Sequence, residues 1–409
     1  MTEQMHKGIS ALAASAVLQP MEAMLEVKKQ KRQLVIGIPK ETSFQENRIP
    51  LIPESIALLA ANGHEIIVEA GAGAASNFQD SDYSEAGGRI VYSPEEVYKS
   101  EIVIKVAPPS IAELDLIQPK QNLMSILQMN MQNPEYIRML SKKKVTAIGY
   151  EFIHERTGVY PIIQAMSEIV GSTCILIAAE YLSNAFNGKG ELLGGVSGIP
   201  PTEVVIIGAG TVGEYATRVA IGLGANVKVF DNSIYRLRRL QNRLGRRIYT
   251  STIVPSILLK ELKNADVAIG ALRSDEGRTP VVVTEEMVSE MRVGSVIVDV
   301  SIDQGGCFET SEITNHSQPV FRKYGVVHYC VPNIASRVSR TASTALSNIF
   351  TPILLEAGEA GGFDEMLWKN KAVCNGVYMF RGAITNRYIA DFCKLPFKDL
   401  ELLIAATKI

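Results

Sequence analysis

Three glycines at a fixed spacing are the strongest chemical signal in the sequence. Gly208, Gly210 and Gly213 follow four apolar residues and open a helical pattern, and a second apolar run then ends at Asp231. In such a strand, turn, helix and strand, the first glycine makes the tight turn and the second lets the backbone approach a pyrophosphate. The third lets helix and strand pack closely. The spacing therefore predicts a dinucleotide site.

The helix and the terminal acid complete this unit. The helix opens at Thr211 and Val212, where free N–H groups and the positive end of the helix dipole favour a pyrophosphate. Asp231 is placed to accept hydrogen bonds from both ribose hydroxyls, and its charge would repel the 2′-phosphate of NADP. The alternative is a glycine turn that binds no ligand. The strand, the helix, the second strand and the terminal acid are all consistent with dinucleotide binding instead. We predict NAD as the cofactor.

The bulk composition excludes several classes of protein. A chain of 409 residues predicts two domains. The net charge of −2 gives no general attraction to nucleic acid or membrane. Six arginines between Arg236 and Arg247 hint at nucleic acid, but their one-sided spacing favours a solvated helix face.

The cysteines and the apolar runs indicate where in the cell the protein is expected. The five cysteines are scattered and lack C-x-x-C spacing, which argues against disulfides and zinc and fits a reducing cytoplasm. No continuous apolar run reaches the roughly eighteen residues that a membrane span needs. We therefore expect a cytoplasmic protein without metal, nucleic-acid or membrane partners.

Alternating strands and helices indicate a first domain that starts near Leu34. This alternation implies a parallel sheet covered on both faces. The predicted strands are Leu34–Ile38, Glu65–Val68, Ile102–Val106, Leu123–Leu127 and Val145–Ile148. Before them, the first 33 residues predict a helix interrupted near Pro20, packed on the body of the protein or on a neighbouring subunit.

A second sheet follows a long predicted helix, Ile162 to Ala185. Its predicted strands are Val204–Ile207, Asn226–Phe230, Val267–Gly270, Ser295–Val300 and Val326–Val331. After Asn333 the pattern is helical, first at Thr341–Glu356 and then towards the C-terminus. A tail that follows a finished nucleotide domain most economically packs back on the first domain.

These patterns predict an α/β fold with two doubly wound parallel-sheet domains. Residues 34–162 and 340–409 would form a discontinuous, flavodoxin-like substrate domain. Residues 163–339 would form a Rossmann-like NAD-binding domain, and residues 1–33 a helical extension.

Polar residues just after the strands are the candidates for chemistry, because ligands of open parallel sheets bind beyond the carboxyl ends of the strands. Arg48 follows the first strand and could clamp a carboxylate, although a surface pair with Glu46 is an equal alternative. Lys105 follows the third strand. Asp303 could stabilise charge or handle a proton near a nicotinamide, or else serve as a helix or turn cap. The Asn333 amide could hold a carboxamide or a substrate oxygen.

Longer segments resemble a known family. IGIPKETSFQENRIPLIPESI, QAMSEIVG, LLGGVSGIPPTEVVIIGAGTVG and GSVIVDVSIDQGGCFET are similar to alanine dehydrogenases and to the soluble NAD-binding part of nicotinamide nucleotide transhydrogenase. The likeness runs from Leu34 to about Leu355. IDQGGCFE favours alanine dehydrogenase, whereas LMSILQMNMQNPE looks like the transhydrogenase pattern. The resemblance implies oxidation of L-alanine to pyruvate and ammonium with NAD, in hexamers of two-domain subunits.

The resemblance also implies roles for particular residues. Arg48 would bind the substrate carboxylate, and Asp303 would act beside the nicotinamide. The residues that would hold NAD or line the cleft near it are Ser167, Gly208, Gly210, Gly213, Asp231, Arg236 and Asn333.

Two positions depart from the family pattern. Alanine dehydrogenases have Lys-Val-Lys-Glu-Pro where this chain has Lys105-Val106-Ala107-Pro108-Pro109, and they have a catalytic histidine where this chain has Gln128. Glutamine can orient a carbonyl but cannot usefully take a proton. In the leading hypothesis Gln128 orients the substrate and Lys105 replaces the missing lysine. A transhydrogenase-like hydride carrier with a separate membrane partner, or a non-catalytic NAD-binding protein, are the alternatives.

Overall fold

The computed structural model describes residues 32–128, 133–274 and 277–406, and it contains two open β-sheets with helices around them. The prediction of an α/β fold with two mostly parallel sheets is confirmed. The helix predicted for the first 33 residues lies almost entirely outside the described residues.

The first sheet has eight strands in the order β15-β14-β6-β5-β4-β1-β2-β3. These are β1 (Val35–Ile38), β2 (Glu65–Glu69), β3 (Arg89–Val91), β4 (Ile102–Ile104), β5 (Asn122–Ser125), β6 (Thr146–Gly149), β14 (Val377–Phe380) and β15 (Ala383–Ile384). Strands β1 to β6 are parallel, and β14 and β15 join antiparallel at one edge. The parallel part has the order 3-2-1-4-5-6, which differs from the flavodoxin order 2-1-3-4-5.

The second sheet has seven strands in the order β12-β13-β11-β10-β7-β8-β9. They are β7 (Glu203–Ile207), β8 (Asn226–Phe230), β9 (Tyr249–Ser251), β10 (Val267–Gly270), β11 (Val296–Asp299), β12 (Val320–Lys323) and β13 (Val326–Tyr329). All pairings are parallel except that of β12 with β13. The strand order reverses between β7 and β10, the point at which such sheets bind ligands.

Helices cover the sheets. Those before the second sheet are α1 (Pro53–Ala61), α2 (Asp80–Glu85), α3 (Pro94–Val97), α4 (Ile111–Leu116), α5 (Pro134–Lys142) and α6 (Pro161–Leu182). Those within it are α7 (Thr211–Gly222), α8 (Ile234–Leu244), α9 (Pro255–Leu262) and α10 (Glu285–Ser289). Those after it are α11 (Ser339–Ala360), α12 (Phe363–Lys369), α13 (Lys371–Cys374), α14 (Arg387–Cys393) and α15 (Leu400–Ala406).

Both faces of each sheet are buried, which explains the uninterrupted apolar runs in the sequence. In β7, Val204 and Ile206 pack into one hydrophobic cluster, whereas Val205 and Ile207 pack into another on the opposite face. Successive side chains of a strand point to opposite faces. A parallel strand with helices on both sides must therefore be apolar throughout.

The long helix α6 lies against α7. A Cβ atom at Gly171 would lie 2.4 Å from the Val212 carbonyl oxygen, so only glycine permits this approach. By length and composition α6 could also cross a membrane, and within the described ranges it is the one helix that meets that test. A core helix of a soluble protein meets the same test.

The C-terminal part returns to the first sheet. Leu346, Phe350 and Leu354 of α11 belong to the same buried cluster as Ile36 of β1. The prediction of a helical C-terminus is wrong in part, because β14 and β15 extend the sheet beside β6. Such short edge strands carry too few residues for a clear alternation.

Candidate active site

The three glycines of the turn after β7 each have a distinct environment. Gly208 has a φ of +118°, and a Cβ atom there would lie 2.3 Å from the Ala271 carbonyl oxygen. A Cβ at Gly213 would lie 1.9 Å from the Gly208 carbonyl oxygen. At Gly210 a Cβ would meet no described atom within 4 Å. The turn thus has the tight bend, the open face and the close helix packing that a dinucleotide loop needs.

The start of α7 faces the same open space. Gly210 is its N-cap, and no side chain within the described ranges caps the helix. Glu214 in the first turn is bonded by Arg218 and Arg243, each with an N···O distance of 2.8 Å. Burial raises the pKa of Glu214, but these arginines outweigh it and hold the pKa below its usual value. The uncapped N–H groups of this helix therefore suit a pyrophosphate.

Asp231 lies at the end of β8 on the wall of a cavity of about 410 Å³, which Asn232, Ser233 and Arg236 also line. Its Oδ2 accepts from the Ala209 N–H at 2.8 Å, and its Oδ1 accepts from the Ser233 N–H at 2.7 Å. The nearest guanidinium nitrogen of Arg236 is 4.0 Å from Oδ2. Two backbone bonds thus fix the carboxylate at the mouth of a cavity that could take an adenosine.

Arg48 is paired with Glu46, as one of the two sequence interpretations held, but the pair is not on the surface. Arg48 Nε and Nη2 donate to the Glu46 carboxylate at 2.7 and 2.6 Å. The two side chains are only 12% and 5% exposed. Arg48 Nη1 lies 3.6 Å from Met166 Sδ on α6, a weak acceptor. That side of the guanidinium remains able to bind an external carboxylate.

Asn333 joins this pair to two further groups. Its Nδ2 donates to Glu46 Oε2 at 2.9 Å, and its backbone is left-handed, with φ 57° and ψ 48°. Burial raises the pKa of Asp303, opposed by a hydrogen bond from the Asn333 backbone and by the charge of Arg48. The Asn333 backbone also acts on His316, where it opposes the lowering of the ring's pKa by burial. The structure therefore brings Arg48, Asp303 and Asn333 together.

The segment that carries Arg48 reaches the second sheet at other points. Gln45 Nε2 donates to Ser317 Oγ at 2.9 Å, and Gln45 Oε1 accepts from the His316 N–H at 2.7 Å. The Asn47 N–H donates to Ser336 Oγ at 2.8 Å. Ser167, predicted to line the cleft, is half-buried on α6 next to Met166.

Lys105 does not face the cleft. Its side chain is fully buried, its ammonium group bonds Glu113, and Glu41 Oε2 is 3.7 Å away. The lysine that the sequence analysis expected to replace the missing substrate lysine thus contacts two carboxylates of its own chain. Glu41 also accepts from the N–H groups of Val106 and Ala107, at 2.5 and 3.3 Å.

Gln128 stands at an exposed bend with φ 49°. Its N–H and that of Leu127 donate to Glu151 Oε1, at 3.2 and 2.8 Å. Sequence reasoning assigned no role to Glu151 or Glu41. Burial raises the pKa of each to about 7, against the backbone hydrogen bonds and, for Glu41, against Lys105. Their roles depend on contacts between distant segments, so no local motif could identify them.

Metal ligation has no candidate in the described part of the chain. Within residues 32–128, 133–274 and 277–406, no three His, Cys, Asp or Glu side chains are grouped so that they could hold a metal ion.

The fold and the site define a two-domain protein with a dinucleotide-binding fold. The chain belongs to the alanine dehydrogenase/PNT family: residues 37–170 match the family's N-terminal domain and residues 174–387 its C-terminal domain.

The relatives extend this match to nearly the whole chain. The chain is 37% identical to an alanine dehydrogenase of Methanococcus maripaludis, over 90% of this chain and 99% of the relative. It is 38% identical to an alanine dehydrogenase of Staphylococcus saprophyticus, with the same coverage. A solved L-alanine dehydrogenase structure covers 88% of this chain and 99% of its own, with a TM-score of 0.82 and 36% identity. A transhydrogenase from Sinorhizobium meliloti shares the fold, with a TM-score of 0.73 and 24% identity.

The buried Glu151 carboxyl gives a prediction for stability against pH. Its pKa is raised in the fold from 4.5 to about 7, so its contribution is complete below about pH 4.5 and is lost as the pH rises to 7. Glu151→Gln keeps an acceptor for both N–H groups. We expect the free energy of unfolding of the variant, measured relative to wild type, to rise by on the order of 3 kcal/mol between pH 4.5 and 8.

Urea unfolding at several pH values measures this difference. The exposed Glu85→Gln is the matched control and should follow wild type. A Glu151→Gln curve parallel to wild type over the whole range would contradict the prediction.

Proposed function

We propose that this protein is an NAD-dependent amino-acid dehydrogenase that oxidises L-alanine to pyruvate and ammonium. The convergence of Arg48, Asp303 and Asn333, in a chain that also has a dinucleotide-type turn after β7, is the observation that carries the proposal. Its support from relatives is 37% identity to a named alanine dehydrogenase along 90% of the chain. The hydride-carrier alternative keeps the LMSILQMNMQNPE pattern in its favour, but the solved transhydrogenase shares only the fold, at 24% identity.

The proposed cofactor is NAD, which would accept a hydride from the substrate Cα and leave an imine for water to hydrolyse. Gly208, Gly210 and Gly213, with the N–H groups of Thr211 and Val212, would hold its pyrophosphate. Asp231 would hold the adenosine ribose, with Arg236 on the rim of the same cavity. Ser167 and Asn333 would line the nicotinamide end of the cleft.

Arg48 is the residue proposed to bind the substrate carboxylate. A guanidinium kept charged by Glu46 can still donate from its Nη1 side to the carboxylate of an amino acid. Asp303 would stabilise the positive charge of the imine that forms next to it. Gln128 stays in the proposal as a residue that orients substrate, whereas Lys105 instead balances the charges of Glu113 and Glu41.

Turnover with L-alanine and NAD at alkaline pH, followed as NADH absorbance, tests the function. Arg48→Lys should lower kcat/KM for alanine by about 100-fold, because one ammonium cannot replace a planar donor fork, and each 1.4 kcal/mol is tenfold. The exposed Arg89→Lys is the control and should match wild type. A protein that binds NADH but never oxidises alanine would reject this substrate and favour a non-catalytic role.

Cofactor choice is predicted to depend on the charge of Asp231. Asp231→Asn keeps the shape and one of the two accepting oxygens, and it removes the charge that repels a 2′-phosphate. Arg236 is close by. We expect the ratio of NADPH to NADH affinity to rise about tenfold or more, an effect of about 1.4 kcal/mol. Fluorescence titration of each reduced cofactor measures the ratio. Equal affinities for both cofactors in the wild type would refute the assignment.

A homo-oligomer, a hexamer by resemblance, is also proposed. Helix α6 and the segment after it expose large apolar side chains, namely Leu176, Phe186, Leu192 and Ile199, which are 54%, 47%, 69% and 64% exposed. Large apolar side chains with this much exposure are typical of subunit contacts. Light scattering should give a mass several times 44.6 kDa, and Leu176→Asp should reduce it. A monomer at micromolar concentration would refute the proposal.

A further inference from the structure

We propose that His316 is the acid–base residue of the reaction, in place of the histidine that the family has where this chain has Gln128. The inference rests on the proposed function and assigns the proton transfers that the function requires. His316 lies in the segment between β11 and β12, and its backbone N–H binds Gln45 in the segment that carries Arg48.

The first observation is an unsatisfied ring nitrogen. His316 Nε2 is buried, and among the described residues no hydrogen-bond partner reaches it. A buried polar atom without a partner costs about 1–3 kcal/mol, and such an atom in a folded protein calls for an explanation. A nitrogen left free for substrate or for the attacking water supplies one.

The second observation is the set of groups around the ring. The Asn333 backbone acts on the pKa of the His316 ring and on the pKa of the Asp303 carboxyl. The backbone N–H of His316 donates to Gln45 Oε1 at 2.7 Å, on the segment that carries Glu46 and Arg48. The backbone at His316 is therefore fixed to the segment that carries the groups proposed to hold the substrate.

The charges around His316 favour a neutral ring. Burial lowers the pKa of His316 below its usual value, and the Asn333 backbone opposes this effect. The charge of Arg337, in the segment after β13, lowers the pKa further, whereas the charge of Glu46, in the segment after β1, opposes the lowering. A neutral imidazole at pH 7 can accept a proton, which is the state that a general base needs.

The other histidines of the described residues are committed elsewhere. His328 is fully buried in β13, with Nε2 at 2.8 Å from Thr310 Oγ1 and Nδ1 at 3.0 Å from the Val326 carbonyl oxygen. His64 Nδ1 accepts from the Leu34 N–H at the start of the first sheet. His154 bonds the Phe152 carbonyl oxygen and lies beside Tyr160.

The buried carboxylates of the site are less suitable. Both oxygens of Glu41 accept from backbone N–H groups. One oxygen of Glu151 does the same, and its other oxygen is buried without a partner in the described ranges. The charge of Glu151 acts on Tyr136 and Tyr378, which pack in one hydrophobic cluster, and also on Tyr150.

The proposed step follows the loss of hydride from the Cα of alanine to NAD. Water adds to the Cα of the resulting iminium, and His316 Nε2 accepts one proton from that water. The imidazolium then gives this proton to the amine nitrogen of the carbinolamine, and the C–N bond breaks as the neutral imidazole takes the hydroxyl proton and the carbonyl of pyruvate forms. The released ammonia takes up that hydroxyl proton as ammonium. The one proton of the overall balance is the proton that the alanine ammonium group loses to solvent before the hydride leaves. The reaction consumes one water and one NAD, and it yields pyruvate, ammonium, NADH and one proton.

The variant His316→Gln tests the assignment, with His154→Gln as the matched control. We expect His316→Gln to lower kcat for alanine oxidation by about 100- to 10,000-fold, with NADH affinity within about threefold of wild type. The acidic limb of the kcat/KM profile should disappear. Imidazole added to His316→Ala should restore part of the rate, which a merely structural role would not allow.

A second readout does not depend on turnover. In NMR spectra of protein with carbon-13-labelled histidine rings, the signal that is present in wild type and missing from His316→Gln belongs to His316. Pyruvate added to the NADH complex should move this signal and its titration midpoint but leave His154 unchanged.

The outcomes separate the two proposals. A wild-type protein that binds NADH but never turns over alanine refutes the proposed function. Two outcomes refute the role of His316 but leave the proposed function intact. In one, the wild type is active and the kcat of His316→Gln is within threefold of it. In the other, the acidic limb of the kcat/KM profile is lost in Glu151→Gln but not in His316→Gln.

Discussion

The ion pair between Arg48 and Glu46 is the interaction on which the cleft depends. A guanidinium this far from water needs a close counter-charge, because removing a charge from water costs several kcal/mol. Glu46 supplies that charge through two short hydrogen bonds and also binds the side chain of Asn333 from the second sheet. One carboxylate thus sets the orientation of Arg48 and ties the segments after β1 and β13 together.

Carboxylates also connect segments at the ends of other strands, where they accept hydrogen bonds from backbone N–H groups. Asp231 accepts from two backbone N–H groups at the turn after β7, and Glu151 does so for the segment after β5. Asp299, at the end of β11, accepts from the N–H groups of Ser301 and Cys307, which flank Asp303. Segments that must hold ligands cannot be fixed by apolar packing alone. Buried carboxylates fix them through their otherwise unpaired N–H groups.

The parts of the site that were predicted from the sequence are those that local spacing determines. The glycine turn, its helix and the terminal Asp231 lie within thirty residues, and each has a conformational requirement that the sequence displays. The partner of Arg48 was foreseen as Glu46, two residues away, but its burial was not. Burial depends on how the two sheets meet, and no short segment carries that information.

The residues that were missed or misjudged act through distant partners. Lys105 looked available because its segment follows a strand, yet it is enclosed by Glu113 on α4 and by Glu41 after β1. In the fold, β14 and β15 were missed because they join β6 from more than two hundred residues away. The strands β3, β9 and β12 were also missed; each is partly exposed, so none shows the continuous apolar run of the central strands.

The unusual state of Glu41 follows from the way one lysine is shared between two buried carboxylates. Ala107 is buried, and its N–H and that of Val106 donate to Glu41. Lys105 contacts both Glu41 and Glu113, and Glu113 takes the closer contact. The more distant cation and the two N–H groups do not offset the loss of water around Glu41, so burial raises the pKa of this carboxyl to about 7. Glu41 can therefore hold a proton near neutral pH, whereas the same lysine and the hydrogen bonds of Ser110 hold the pKa of Glu113 below its usual value.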